Sequence, residues 1–151
     1  CLSALQKQLE AIEQEIKERV NKDKELKAKA EAISSVKSVG EKTTMTLLAV
    51  MPELGKANRR EIAALAGLAP YANDSGKTSK RRRTSAGRPL VKRMLFMCAV
   101  RNNKNLKAFY EKLTNNGKLK MVAIVAVMRK LLVIINNCCK QYYLDKAYML
   151  T

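Results

Sequence analysis

The sequence contains no histidine and no tryptophan, and acids are scarce: 13 Asp and Glu stand against 30 Lys and Arg. Without histidine there is no Ser-His-Asp triad, no imidazole base and none of the usual Cys/His zinc arrangements. The cysteines, Cys1, Cys98, Cys138 and Cys139, show no C-x-x-C spacing and read as reduced structural thiols. Beyond residue 33 the carboxylates are Glu41, Glu53, Glu61, Asp74, Glu111 and Asp145, scattered without a repeating interval. Two-metal nucleases need clustered acids, so no metal ligands are assigned in this chain. A P-loop is excluded as well, because "GKTSK" lacks the upstream glycine and strand. No signal peptide is visible, and Arg129 and Lys130 interrupt the run "MVAIVAVMRKLLVIIN" before about eighteen apolar residues accumulate. No membrane span is expected.

Aromatics are few, at 5%, whereas apolar residues reach 47%. That balance, rich in Leu, Ile, Val, Ala and Met, suits a helical core, and the expected fold class is all-α. The 151 residues suffice for one domain plus an extension. The chain opens on Cys rather than Met, which points to a piece of something longer.

The net charge of +17 is a self-repelling field that calls for a polyanionic partner, nucleic acid first. No amphipathic segment sets Lys and Arg against Trp and Phe, as a membrane-surface helix would. The charge is also unevenly placed. Residues 1–33 carry seven bases and seven acids, so the whole excess lies in residues 34–151.

Within the neutral segment, Leu2, Leu5, Leu9, Ile12 and Ile16 step by three and four, as in a coiled-coil seam. The step breaks at Arg19 and Asp23 and resumes at Leu26, Ala30 and Ile33, with Val20 placed to shift the register. Residues 1–33 are therefore expected to form a helical arm that pairs with another helix or a second copy and makes the chain a homo-oligomer, the alternative being a solvated helix packed on its own domain. Next, "SVKSVGEKTTMTLLAVMPEL" reads as two helices joined by a small-residue turn, resembling a helix-hairpin-helix. Val39, Gly40, Lys42 and Thr43 would then offer a phosphate-binding turn, the alternative being a plain turn. "ANRREIAALAGLAP" reads as a helix capped by Asn58 and Glu61 and ended by Gly67. Pro89 opens another helix with Leu90, Val91, Met94, Leu95 and Cys98 facing inward. Two more follow, one around Leu106 and Phe109, the last burying Met121 through Ile135. Residues 138–151 show no strong period and are expected to pack loosely.

One stretch carries the chemistry: "NDSGKTSKRRRTSAGRP", residues 73–89. Gly76 lets the backbone turn and expose the Ser75 hydroxyl. Lys77, Lys80, Arg81, Arg82 and Arg83 supply cations that match phosphate oxygens and stabilise charge growing on a phosphorus centre. Arg88, Lys92 and Arg93 could grip the flanking backbone. Two readings stay open: Ser75 attacks a phosphodiester, or it is an ordinary turn residue in a loop that docks nucleic acid. Tyr71 is a rival nucleophile near the same loop. A third class is a coiled-coil interaction protein whose charge is incidental.

The linked order of "LAGLAP", "SG", "RRR", "G-R-P-L" and "AFYEKL" over residues 34–137 resembles the C-terminal half of the Piv/MooV-like insertion-sequence transposases, DEDD-type recombinases guided by a bridge RNA. Lys37-Ser38 stands where that family usually has Pro-Gly. The resemblance implies a C-terminal nucleic-acid-binding domain whose serine, here Ser75, becomes joined to DNA. It further implies a guide RNA, a nucleoid-associated place in the bacterial cytoplasm, and a divalent metal, magnesium, held by a RuvC-like four-acid domain that this chain does not contain. By itself the chain is expected to bind nucleic acid without cutting it.

Overall fold

The computed structural model describes residues 2–71, 83–84, 86–100 and 104–148. The fold is all-α, with seven helices among the described residues: α1 (Leu2–Lys22), α2 (Lys24–Ser34), α3 (Glu41–Val50), α4 (Arg59–Leu65), α5 (Pro89–Val100), α6 (Lys104–Asn115) and α7 (Lys120–Tyr148). Between α4 and α5, β1 (Pro70–Tyr71) pairs antiparallel with β2 (Arg83–Thr84), with Pro70 opposite Thr84 and Tyr71 opposite Arg83.

The last helix is the axis of the domain. α2, α4, α5 and α6 pack on α7, and α3 bridges α2 and α5. Leu131, Leu132 and Ile135 are fully buried there, against Ile33, Leu47, Ile62, Val91 and Leu95. By length and composition Lys120–Leu144 could cross a membrane, but nearly half of its most apolar window is buried as this core stripe.

The arm is divided otherwise than expected. Asp23 Oδ1 accepts from the Glu25 and Leu26 backbone N–H groups at 2.8 and 3.2 Å, which starts a new helix inside residues 1–33. That cap is why the apolar step fails at Arg19 and Asp23. α2 belongs to the body, with Ile33 buried and the helix packed on α3 and α7. The packed unit therefore begins near Asp23 rather than at residue 34. On α1 the stripe Leu2, Leu5, Leu9, Ile12 and Ile16 is 41–80% exposed.

The other end differs too. Residues 138–148 continue α7, and Cys139 is buried against the core. Ile135, Cys139 and Tyr143 recur at four-residue intervals, so one face simply runs on, with no Gly or Pro after Gly117 to stop it. Burial pushes the Cys139 thiol up to about 11, leaving it unreactive. Leu90 and Met121, expected inside, are exposed in the first turns of α5 and α7.

Local signals account for the helix ends. Asn58 and Glu61 form the reciprocal capping box of α4, with Asn58 Oδ1 accepting from Arg60 N and Glu61 N, and Glu61 Oε2 accepting from Asn58 N at 2.9 Å. α4 and α6 both stop in a Schellman turn: Leu68 N donates to Ala63 O and Lys118 N to Leu113 O, around Gly67 and Gly117 at positive φ.

Candidate nucleic-acid interface

The stretch singled out by the sequence is framed by tight packing on both sides. Gly67, past the end of α4, and Gly87, just before α5, cross backbone on backbone. A Cβ on Gly87 would lie 2.1 Å from Gly67 N, and one on Gly67 would lie 2.0 Å from Ala86 O. Both have positive φ, +68° and +78°. Arg88 N donates to Leu65 O at 3.1 Å across the same crossing. With the Pro70–Thr84 and Tyr71–Arg83 pairing, these contacts fix where the chain leaves and rejoins the body.

Arg88 adds a side-chain clasp. Its guanidinium donates Nη1 to Glu53 Oε2 at 2.7 Å and Nη2 to Glu53 Oε1 at 2.6 Å, a planar two-point pair. The Arg88 hydrogen bonds hold the Glu53 carboxyl down to about 2 and raise the arginine in turn. The turn that carries Glu53 is itself anchored. Asn136 on α7, buried, accepts from Gly55 N at 2.8 Å and donates Nδ2 to Ala57 O at 3.0 Å. Neither Glu53 nor Asn136 was expected to matter. The only signal was the pair of amides, Asn136 and Asn137, directly after the apolar run "LLVII".

This clasp has a pH signature. The Glu53 pKa lies below its ordinary value of 4.5, so its stabilisation is present above about pH 4.5 and is lost as pH falls toward about 2. Each partner is about one-third exposed, so solvent screening keeps the contribution to about 1 kcal/mol. Urea unfolding of the wild type and Glu53→Gln should show that gap at pH 7 and a narrowing gap below pH 4.5. A gap independent of pH would mean that the carboxylate charge is not what stabilises.

Of the residues expected to bind nucleic acid, Ser75, Lys77, Lys80, Arg81 and Arg82 lie outside the described residues. Arg83 is described only through its backbone, opposite Tyr71. Arg88, Lys92 and Arg93 come together at the start of α5; Arg93 is exposed, Lys92 is half-buried, and Arg88 faces Glu53. The hairpin turn lies in a separate part of the sequence, between α2 and α3. Ser38 has φ +78°, a conformation that glycine adopts without strain. Gly40 is the N-cap of α3 and gives it no side-chain cap, while Val39 and Thr43 are buried, the Thr43 hydroxyl 3.6 Å from Cys98 Sγ. Lys42 pairs with Glu13 of α1 at 2.8 Å, and that contact raises its pKa. Lys17 meets Glu41 at 3.0 Å beside it. Of the four residues expected to bind phosphate here, Gly40 and Lys42 are exposed, next to the exposed carboxylate of Glu41. Among the described residues no three His, Cys, Asp or Glu side chains gather where a metal ion could be held, so no step is derived through one.

Comparison with known proteins adds two findings. Residues 30–111, from within α2 to within α6, match the family described as "Transposase IS116/IS110/IS902 family". The chain is also 28% identical over 130 residues, 82% of its length, to the "Pilin gene-inverting protein" of Moraxella lacunata and to that of Moraxella bovis. It spans 40% of the length of each of these relatives.

Proposed function

Because the chain belongs to the transposase IS116/IS110/IS902 family, we propose that it is the part of a DNA recombinase that grips nucleic acid and supplies Ser75 as the nucleophile of strand exchange. The observation that carries the reading is the frame around residues 72–82: the glycine crossing, the β1–β2 pairing and the Arg88–Glu53 clasp hold both ends of the segment with the serine and its cations. A nucleophile gains most when its surroundings are ordered before the substrate arrives. The family and the gene-inverting relatives favour DNA as the substrate, since inverting a gene means breaking and rejoining strands.

Lys77, Lys80 and Arg81–Arg83 hold the reacting phosphate, while Lys92 and Arg93 follow the flanking backbone. Val39, Gly40 and Lys42 offer a second phosphate contact. A guide RNA shares this basic surface. The exposed α1 stripe pairs with that of a second copy, burying five large apolar side chains that are otherwise in water. The four clustered acids and their divalent metal are supplied by a separate RuvC-like domain, and the protein works at the bacterial nucleoid.

Salt dependence tests the binding half of this reading. Each phosphate neutralised contributes about −0.9 to the slope of log K against log salt. Binding of the chain to duplex DNA, followed by fluorescence anisotropy from low to high salt, should give a steep negative slope. Replacing Arg81, Arg82 and Arg83 together by glutamine should make it shallower by about two to three. A slope near zero in the wild type rejects the basic segment as a phosphate grip and favours a protein partner.

A further inference from the structure

We propose that the cavity beside the basic segment is a binding site for one unstacked nucleobase, with the Tyr71 ring as its stacking platform. The proposal rests on the reading of the chain as a nucleic-acid binder and names a contact that reading does not contain. The cavity, of about 780 Å³, is lined by the anchored turn (Glu53, Lys56, Ala57), by Glu61, Ala64 and Leu65 of α4, and by Tyr71, Gly87 and Arg88.

Three observations select the ligand. Tyr71 is 46% exposed, so a large flat ring is left in water at the edge of a concave site. The lining charges cancel, with Lys56 and Arg88 against Glu53 and Glu61, and Arg88 is already paired with Glu53 through both of that carboxylate's oxygens. A phosphate meets little net attraction in such a balanced lining. A neutral, planar ring with a polar edge gains stacking and apolar contact. The third observation is position: Tyr71 is the residue from which the chain enters the basic segment, and its backbone pairs with that of Arg83, so the cavity lies where that segment joins the body.

The walls are set before any ligand arrives, by the Asn136 bonds to Gly55 and Ala57, the α4 capping box and the Arg88–Glu53 clasp. The carboxylates accept hydrogen bonds and cannot donate them. Every nucleobase carries at least one N–H on its polar edge that the remaining lone pairs of Glu53 and Glu61 can accept.

The test uses the full chain and a single-stranded oligonucleotide carrying 2-aminopurine, whose fluorescence is quenched on stacking. Wild type and Tyr71→Phe should quench the probe and bind with similar Kd. Tyr71→Ala should lose the quenching and bind roughly fivefold to a hundredfold more weakly. Its salt slope should be unchanged, because no phosphate contact is lost. Ala64→Gln, which fills the cavity from α4, should act in the same direction and covers the case of a misfolded Tyr71→Ala. Wild-type affinity and quenching in both Tyr71→Ala and Ala64→Gln overturn the site while leaving the basic segment's role intact. A wild-type chain that binds no oligonucleotide at any salt overturns the parent reading, and the site with it.

Discussion

Replacing Ser75 by alanine is expected to abolish covalent attachment of the protein to DNA, a loss of roughly a thousandfold or more in the rate of adduct formation. The chain would be supplied with a four-acid domain and with DNA carrying a bridging phosphorothiolate, whose thiolate leaves readily but attacks back poorly, so that the ester accumulates. In the proposed step the Ser75 oxygen forms a bond to phosphorus and the bridging atom departs with the strand end. The serine proton passes to a base outside this chain, which contains no histidine. In that step Lys77 and Arg81–Arg83 would lower the barrier by meeting charge that grows on the nonbridging oxygens, an effect strongest where water is excluded. Ser85→Ala should leave the adduct unchanged, since that serine lies on the far side of the arginine run. Tyr71 is the informative control, because this half-exposed tyrosine sits at the base of the same segment. An adduct kept in Ser75→Ala but lost in Tyr71→Phe would transfer the role to the tyrosine and remove the central claim.

What could be read from the residues alone follows the range over which each signal acts. The α4 capping box and the Gly67 stop are written within a few residues and appear where expected. The core stripe of α7 was visible through Ile135 because aliphatic residues mark it. It was lost at Cys139 and Tyr143, which continue the same face but do not count as aliphatic. Asp23 is a local signal of another kind. A broken seam and a helix N-cap look alike until the fold shows that α2 packs on α3 and α7.

The functional frame was least legible, because its partners are far apart in sequence. Glu53 and Arg88 are thirty-five residues apart, and Gly55 and Asn136 eighty-one. No periodicity joins such pairs. The chain folding back after α4 brings Arg88 to Glu53, and packing on α7 brings Asn136 to Gly55. Gly87 had a role in the "G-R-P-L" resemblance but no physical reason until its contact with Gly67 was seen. Arg88 was expected to hold DNA backbone, and nothing near it in sequence announces the carboxylate it faces.

The glycine crossing makes the strongest structural prediction. Gly87→Ala is expected to cost roughly 3 kcal/mol or more in urea unfolding, for two separable reasons. Alanine at φ +78° pays about 1 kcal/mol for the left-handed backbone alone. Its Cβ would also lie 2.1 Å from Gly67 N and 2.3 Å from Gly67 Cα, and both atoms are backbone, so no side-chain rotation relieves the overlap. The end of α4 and the start of α5 must instead move apart, stretching the Arg88 N to Leu65 O bond and the clasp on Glu53. Gly117→Ala separates the two costs, because Gly117 has nearly the same φ, +76°, but nothing within 4 Å of the added carbon. It should lose only about 1 kcal/mol, partly offset by a less flexible unfolded chain. Gly40→Ala, with ordinary φ and open space, should cost only about 0.5–1 kcal/mol, because alanine is a poorer N-cap of α3 than glycine. Equal losses for Gly87→Ala and Gly117→Ala would mean that the crossing yields easily and does not hold the basic segment. A large loss confined to Gly87→Ala, with weakened DNA binding at concentrations of urea where the variant is still folded, would tie the rigidity of that crossing to the grip on the phosphate.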